Sequence, residues 1–150
     1  MGAHTDFGSV TLLVNKIGGL QVLLPNSKSF VHVRPVPGHC IINLGDAMVK
    51  FSNGLLRSNV HRVVSPPGEQ AGETRYSLVY FSRPGDEVLL KRLEGGAIPP
   101  LAEGVFEEDV KSVDWIRDKA LARRKGAEKF VGVTGQGRET AEFGDDVDDS

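Results

Sequence analysis

A chain of 150 residues with 39% hydrophobic and 25% charged residues has the size of one ordinary domain and enough core-forming side chains to exclude a disordered class. Its formal net charge of -2 excludes the global basic surface on which nucleic-acid binding draws, and a single cysteine, Cys40, excludes an intramolecular disulfide and a thiolate-rich zinc cage. No apolar run approaches the roughly 20 residues of a membrane span and no signal-peptide pattern opens the chain, so a reducing, cytoplasmic setting away from membranes is expected.

Short β-prone runs separated by turn residues fill the first half of the chain, at 9–15, 20–24, 29–34, 39–44, 47–52, 58–64 and 74–82. Gly18-Gly19, Pro25-Asn26, Pro37-Gly38, Gly45-Asp46, Asn53-Gly54 and Pro66-Pro67-Gly68 punctuate them, supplying the backbone angles and missing donors that end a ladder. The pattern predicts a mainly β jelly-roll core, one strand short of the about eight that close such a double sheet. After the segment 95–100 the period changes. Val113, Ile116, Ala120 and Leu121 recur at helical spacing behind Ser112, a candidate N-cap, and Arg123-Arg124-Lys125 precede Gly126, so one C-terminal helix is expected over about 112–126. Residues 1–135 then form the domain. From 136 to 150, six acidic residues stand against Arg138, a net charge of about -5, and the expectation is a disordered acidic tail.

His4-Thr5-Asp6 puts two metal-ligand side chains on one face of an extended segment, although such a tripeptide also suits an exposed turn. In the run 58–64, alternation sets Asn59, His61 and Val63 on one face; an inward His61 is either bonded to backbone as a core residue or completes a site with His4 and Asp6. Two histidines and one aspartate match the facial triad of non-haem Fe(II), and structural zinc would want a fourth ligand. Arg75 and Ser77 share a face of the last run, with Val79 and Phe81 continuing it as an apolar wall. An inward arginine needs a carboxylate, and a ligand can supply one, whereas an edge-strand arginine would simply face solvent. His32 and His39 read as surface and turn positions, and Trp115 and Phe130 as packing anchors for the helix.

Taken together, Gly2-Ala3-His4-Thr5-Asp6-Phe7-Gly8-Ser9-Val10-Thr11-Leu12-Leu13, Asn43-Leu44-Gly45-Asp46, Ser58-Asn59-Val60-His61-Arg62-Val63 and Arg75-Tyr76-Ser77-Leu78-Val79-Tyr80-Phe81 resemble the Fe(II)- and 2-oxoglutarate-dependent dioxygenases, in their isopenicillin N synthase-like branch. The resemblance covers about residues 2–83. It implies a double-stranded β-helix, Fe(II) held by His4, Asp6 and His61, and 2-oxoglutarate held at its distal carboxylate by Arg75 and Ser77. It further implies oxidation of a small organic molecule by dioxygen (hydroxylation, desaturation or ring closure) with decarboxylation of 2-oxoglutarate to succinate. Substrate contacts do not follow from it, and Phe7 and Phe81 are guesses for the substrate pocket. Family members carry a long segment before the first metal histidine, including the opening barrel strand, whereas three residues precede His4 here. The expectation is therefore a fragment or truncated product lacking that strand, with an open sheet edge through which it could self-associate. Two rival readings stand beside the enzyme: a non-catalytic relative that binds metal or 2-oxoglutarate weakly or not at all, and a cupin-like domain, against which Arg75-Tyr76-Ser77 argues.

Overall fold

A computed structural model describes residues 2–124, 131–134 and 137–140. Strand β1 (Val10–Asn15) is rich in β-branched and leucine residues and alternates inward Thr11 and Leu13 with outward Val14. At Gly18 and Gly19 the chain turns; Gly19 has φ +98, and a Cβ there would lie 2.5 Å from the Val64 carbonyl oxygen. Strand β2 (Leu20–Leu23), β3 (Phe30–His32) and β4 (Ile41–Leu44) follow, then helix α1 (Asp46–Phe51), β5 (His61–Val63), a single 3-10 turn over Gly68–Gly72 and β6 (Ser77–Ser82).

The strands form two antiparallel three-stranded sheets, β4-β1-β6 and β3-β2-β5. Leu13 and Leu20 are buried between them, and Ala47, Val60 and Leu90 complete the buried apolar set among the described residues. The far face of the first sheet is apolar but open: Leu12 pairs with Ile42 on one side and Tyr80 on the other, and these two flanking side chains are 61% and 67% exposed. Among the described residues no helix is long and apolar enough to cross a membrane.

One expected strand is a helix. Residues 47–52 are apolar enough to read as β, yet Ala47, Met48 and Lys50 are strong helix formers, Asp46 sits in the first turn and Lys50 in the last. Asn53 (φ 47) and Gly54 (φ 79) then stop the helix in the left-handed region, where the Gly54 N–H donates to the Val49 carbonyl at 2.9 Å and Asn53 N–H to that of Lys50 at 3.1 Å. The expected turn between strands is therefore a helix cap.

The C-terminal helix α2 (Ser112–Arg124) is present where expected, with 125 and 126, like Phe130, outside the described residues. Ser112 does not use its hydroxyl on the helix; Oγ donates to the Pro84 carbonyl at 3.2 Å. Within the stretch expected to be a tail, β8 (Gly137–Thr140) pairs with β7 (Val131–Thr134). Charge counting from residue 136 does not register Val131 and Val133 as part of a β-prone partner. Residues 141–150 lie outside the described residues.

The short helix matters because its first turn receives the loop before β1. The Asp46 N–H donates to the Asp6 carbonyl at 2.8 Å and the Ala47 N–H to that of Gly8 at 3.2 Å, so helix donors that would lack partners are satisfied by that loop. So close an approach leaves no room at Gly45, where a Cβ would stand 2.2 Å from the Gly8 carbonyl oxygen. Gly45→Ala is expected to lower unfolding stability by about 1–3 kcal/mol in urea denaturation, by forcing this packed backbone apart. Gly2→Ala, where a Cβ meets nothing within 4 Å, should change nothing measurable.

Candidate metal centre

His4 and His61 are joined through their backbones as an isolated antiparallel bridge, N–H to carbonyl at 2.9 Å in both directions. Their rings stand with centroids 4.2 Å apart. Each ring is anchored two residues back: His4 Nδ1 lies 2.8 Å from the Gly2 carbonyl and His61 Nδ1 3.1 Å from that of Asn59. A carbonyl can only accept, so both Nδ1 atoms carry the proton and both Nε2 atoms are left with a free lone pair. The two Nε2 atoms lie 3.9 and 3.7 Å from Asp6 Oδ1. Two atoms bonded to one ion at about 2.1 Å each lie at most about 4.2 Å apart, and both distances meet that limit. Ligand atoms of all three residues fall within 4.8 Å of one another. The donor set is suited to a ferrous ion with open positions.

A cavity of about 150 Å³ lies between the two sheets and is lined by His4, Asp6, His61, Arg75, Ser77 and Phe81. The alternation expected in both runs holds, since Asn59, His61 and Val63 line it from one strand and Arg75, Ser77, Val79 and Phe81 from the other. Arg75 Nε donates to the Gly18 carbonyl at 2.8 Å and Nη1 reaches Ser77 Oγ at 3.5 Å, while Nη2 is buried without a partner. A permanently charged, unsatisfied N–H on a cavity wall fits a ligand carboxylate. Phe7 is elsewhere: it does not line the cavity, and its ring lies beneath Lys119 and Arg123 of α2, 6.0 and 5.6 Å from the centroid.

Five supporting residues are given no site role by the sequence reading. Thr11 Oγ1 and Asn43 Nδ2 donate to Asp6 Oδ2 at 2.6 and 2.8 Å. Asp46 Oδ2 accepts from Thr5 Oγ1 at 3.1 Å and from Lys119 Nζ at 3.3 Å, tying α2 to the residue between the two ligands of the first segment. A signal for the first pair is available: each is a polar residue at an inward position of an otherwise apolar strand.

A family model described as the 2OG-Fe(II) oxygenase superfamily matches residues 1–84. The chain belongs to that superfamily. It is 44% identical over 98 residues to the 2-oxoglutarate-dependent dioxygenase iboH of Amanita muscaria, covering 63% of this chain and 47% of that one. It is also 44% identical over 82 residues to the 2-oxoglutarate-Fe(II) type oxidoreductase hxnY of Emericella nidulans, covering 54% and 22%. This superfamily member thus spans less than half the length of either relative. Among solved structures, a full-length Neurospora crassa protein in complex with alpha-KG and 5-formyluracil superposes with a TM-score of 0.71 at 34% identity, over 81% of this chain and 39% of that one. The two sheets are accordingly those of the superfamily's jelly roll.

Burial pushes the His4 imidazole below its ordinary pKa; the Gly2 carbonyl opposes the shift, His61 and Arg123 add to it, and Asp6 opposes it. The neutral ligand form is thereby favoured in the fold. As pH falls through the ordinary value near 6.5, the unfolded chain takes up the His4 proton before the folded chain does, so stability present above that value is lost below it. Thermal melts of the metal-free chain between about pH 7.5 and about pH 5.5 should show this fall, and His4→Gln should make the curve shallower than in the wild type.

Proposed function

We propose that this protein is an Fe(II)- and 2-oxoglutarate-dependent oxygenase that oxidises a small organic molecule with dioxygen, decarboxylating 2-oxoglutarate to succinate. His4, Asp6 and His61 hold the iron, and Arg75 with Ser77 holds the distal carboxylate of 2-oxoglutarate. The reading is supported above all by one cavity lined by both the three-ligand cluster and an arginine whose buried Nη2 lacks a partner. The same anchoring of the ligand rings favours a working site over a non-catalytic relative.

Iron and 2-oxoglutarate, when bound, supply the activation of dioxygen and the removal of hydrogen from substrate. The chain supplies position and shelter. The Gly2 and Asn59 carbonyls fix which ring nitrogens face the metal, and the Gly18 carbonyl aims the Arg75 fork into the cavity. Leu13, Leu20, Val22, Val63 and Val79 give the wall an apolar lining that strengthens the arginine–carboxylate pair by limiting water. Phe81 is the wall residue we assign to substrate. Hydroxylation, desaturation and ring closure all begin with the same hydrogen removal. A lone exposed Cys40 is consistent with a cytoplasmic protein, and the open edges of β4 and β6 with self-association.

Anaerobic titration of the purified chain with Fe(II) and then 2-oxoglutarate, followed by the visible charge-transfer absorbance, tests the assignment. The wild type should give a saturable band that requires both components. Arg75→Ala should still take iron but weaken 2-oxoglutarate binding by roughly thirtyfold or more, the cost of removing one partner of a sheltered charge pair. His61→Ala should abolish the band. A folded wild type with no band would overturn the proposal.

A further inference from the structure

The two oxygens of Asp6 are held differently. Oδ1 is the atom near both His4 Nε2 and His61 Nε2. Oδ2 accepts from Thr11 Oγ1 at 2.6 Å and from Asn43 Nδ2 at 2.8 Å. Both donations are forced, because an ionised carboxylate can only accept; the Thr11 hydroxyl proton and an Asn43 amide proton must point at Oδ2. The shorter contact has the length of a charge-assisted O–H···O bond. Thr11 is 4% and Asp6 7% exposed, so water has little access to replace a lost donor.

These donors are not an incidental pair. Thr11 and Asn43 are direct partners in the β1–β4 register, so one rung of the ladder delivers both groups to one oxygen. Strand β1 is the central strand of its sheet, held on its other side by β6, with Thr11 opposite Phe81. The rung is rigid in a way that the segment bearing Asp6, which precedes β1, is not by itself.

We propose that the Thr11–Asn43 rung is a positioning device that occupies Asp6 Oδ2 and so restricts Asp6 to one-oxygen ligation of the metal. The inference rests on the iron reading above and adds a requirement to it. A carboxylate can ligate through one oxygen or both, and two-oxygen ligation by Asp6 would consume one of the positions that a two-histidine, one-carboxylate set leaves open. With Oδ2 engaged by two protein donors, that position stays available to cosubstrate or dioxygen. Neither Thr11 nor Asn43 is one of the three ligand residues; both act through Asp6.

The test uses Co(II) alone as probe, on the whole chain, with two readouts that need no turnover: affinity by calorimetry, and the separation of the carboxylate stretching bands in the infrared difference spectrum on metal addition. The wild type should show the wide separation of one-oxygen ligation. Thr11→Val, which keeps the shape and removes the hydroxyl, should narrow the separation and weaken Co(II) binding about tenfold or more; Thr11→Ser, which restores the hydroxyl, should return both readouts to wild type. Asn43→Ala removes the other donor and should move both readouts in the same direction, which decides the matter should Thr11→Val fail to fold. Folded variants with wild-type affinity and band separation would overturn the positioning role while leaving the iron reading intact. A folded wild type that binds no Co(II) would overturn both.

Discussion

The pair of backbone hydrogen bonds between His4 and His61 is the constraint on which the rest depends. His61 opens β5 in one sheet, and His4 lies just before β1 of the other, so the bridge that sets the two rings 4.2 Å apart also joins the sheets. Neither ring could be placed by its own segment alone. A ligand pair built on adjacent backbones inherits its spacing from strand geometry, which varies far less than side-chain reach. Asp6 is then placed by chain direction, since residues two apart in an extended segment share a face.

Around this bridge the supporting contacts form a shell with a clear division of labour. Carbonyls of Gly2 and Asn59 set the ring nitrogens, the first turn of α1 holds the carbonyls of the segment 6–8, and Asp46 links Thr5 to Lys119 on α2. Helix α2 is thus more than a cover. Its Lys119 and Arg123 also lie over the Phe7 ring, in contacts worth about 0.5–1 kcal/mol each where they are exposed. The segment of His4 and Asp6 is gripped from the sheet side by hydrogen bonds and from the helix side by charge and aromatic contact.

The gathering of His4, Asp6 and His61 and the inward course of Arg75 are legible in the sequence because both rest on period-two alternation, which survives in any half-buried strand. His4 with Asp6, Asn59 with His61, and Arg75 with Ser77 each need only a two-residue spacing. Phe7 breaks no such rule: alternation already turns it away from the face of His4 and Asp6, and the helix that claims its ring lies more than a hundred residues along the chain. The helix over Asp46–Phe51 escapes it because apolar runs of six residues carry no decisive period, and the sign of a helix sits in Asn53-Gly54, where a left-handed cap and a hairpin turn use the same residues. Thr11 and Asn43 can be seen as polar intrusions, but their common target requires the β1–β4 register.

The parts of the centre come from five separated stretches, at 4–6, 11, 43, 59–61 and 75–77, and no stretch alone offers more than two of the three ligand side chains. The order of events in the life of the chain follows. Long-range pairing of β1 with β6 and closure of the His4–His61 bridge must come before a metal can find three donors in one place. A metal taken up by these three side chains would therefore be a late guest in a finished house: its capture would report that folding is complete and would stabilise the folded state by mass action.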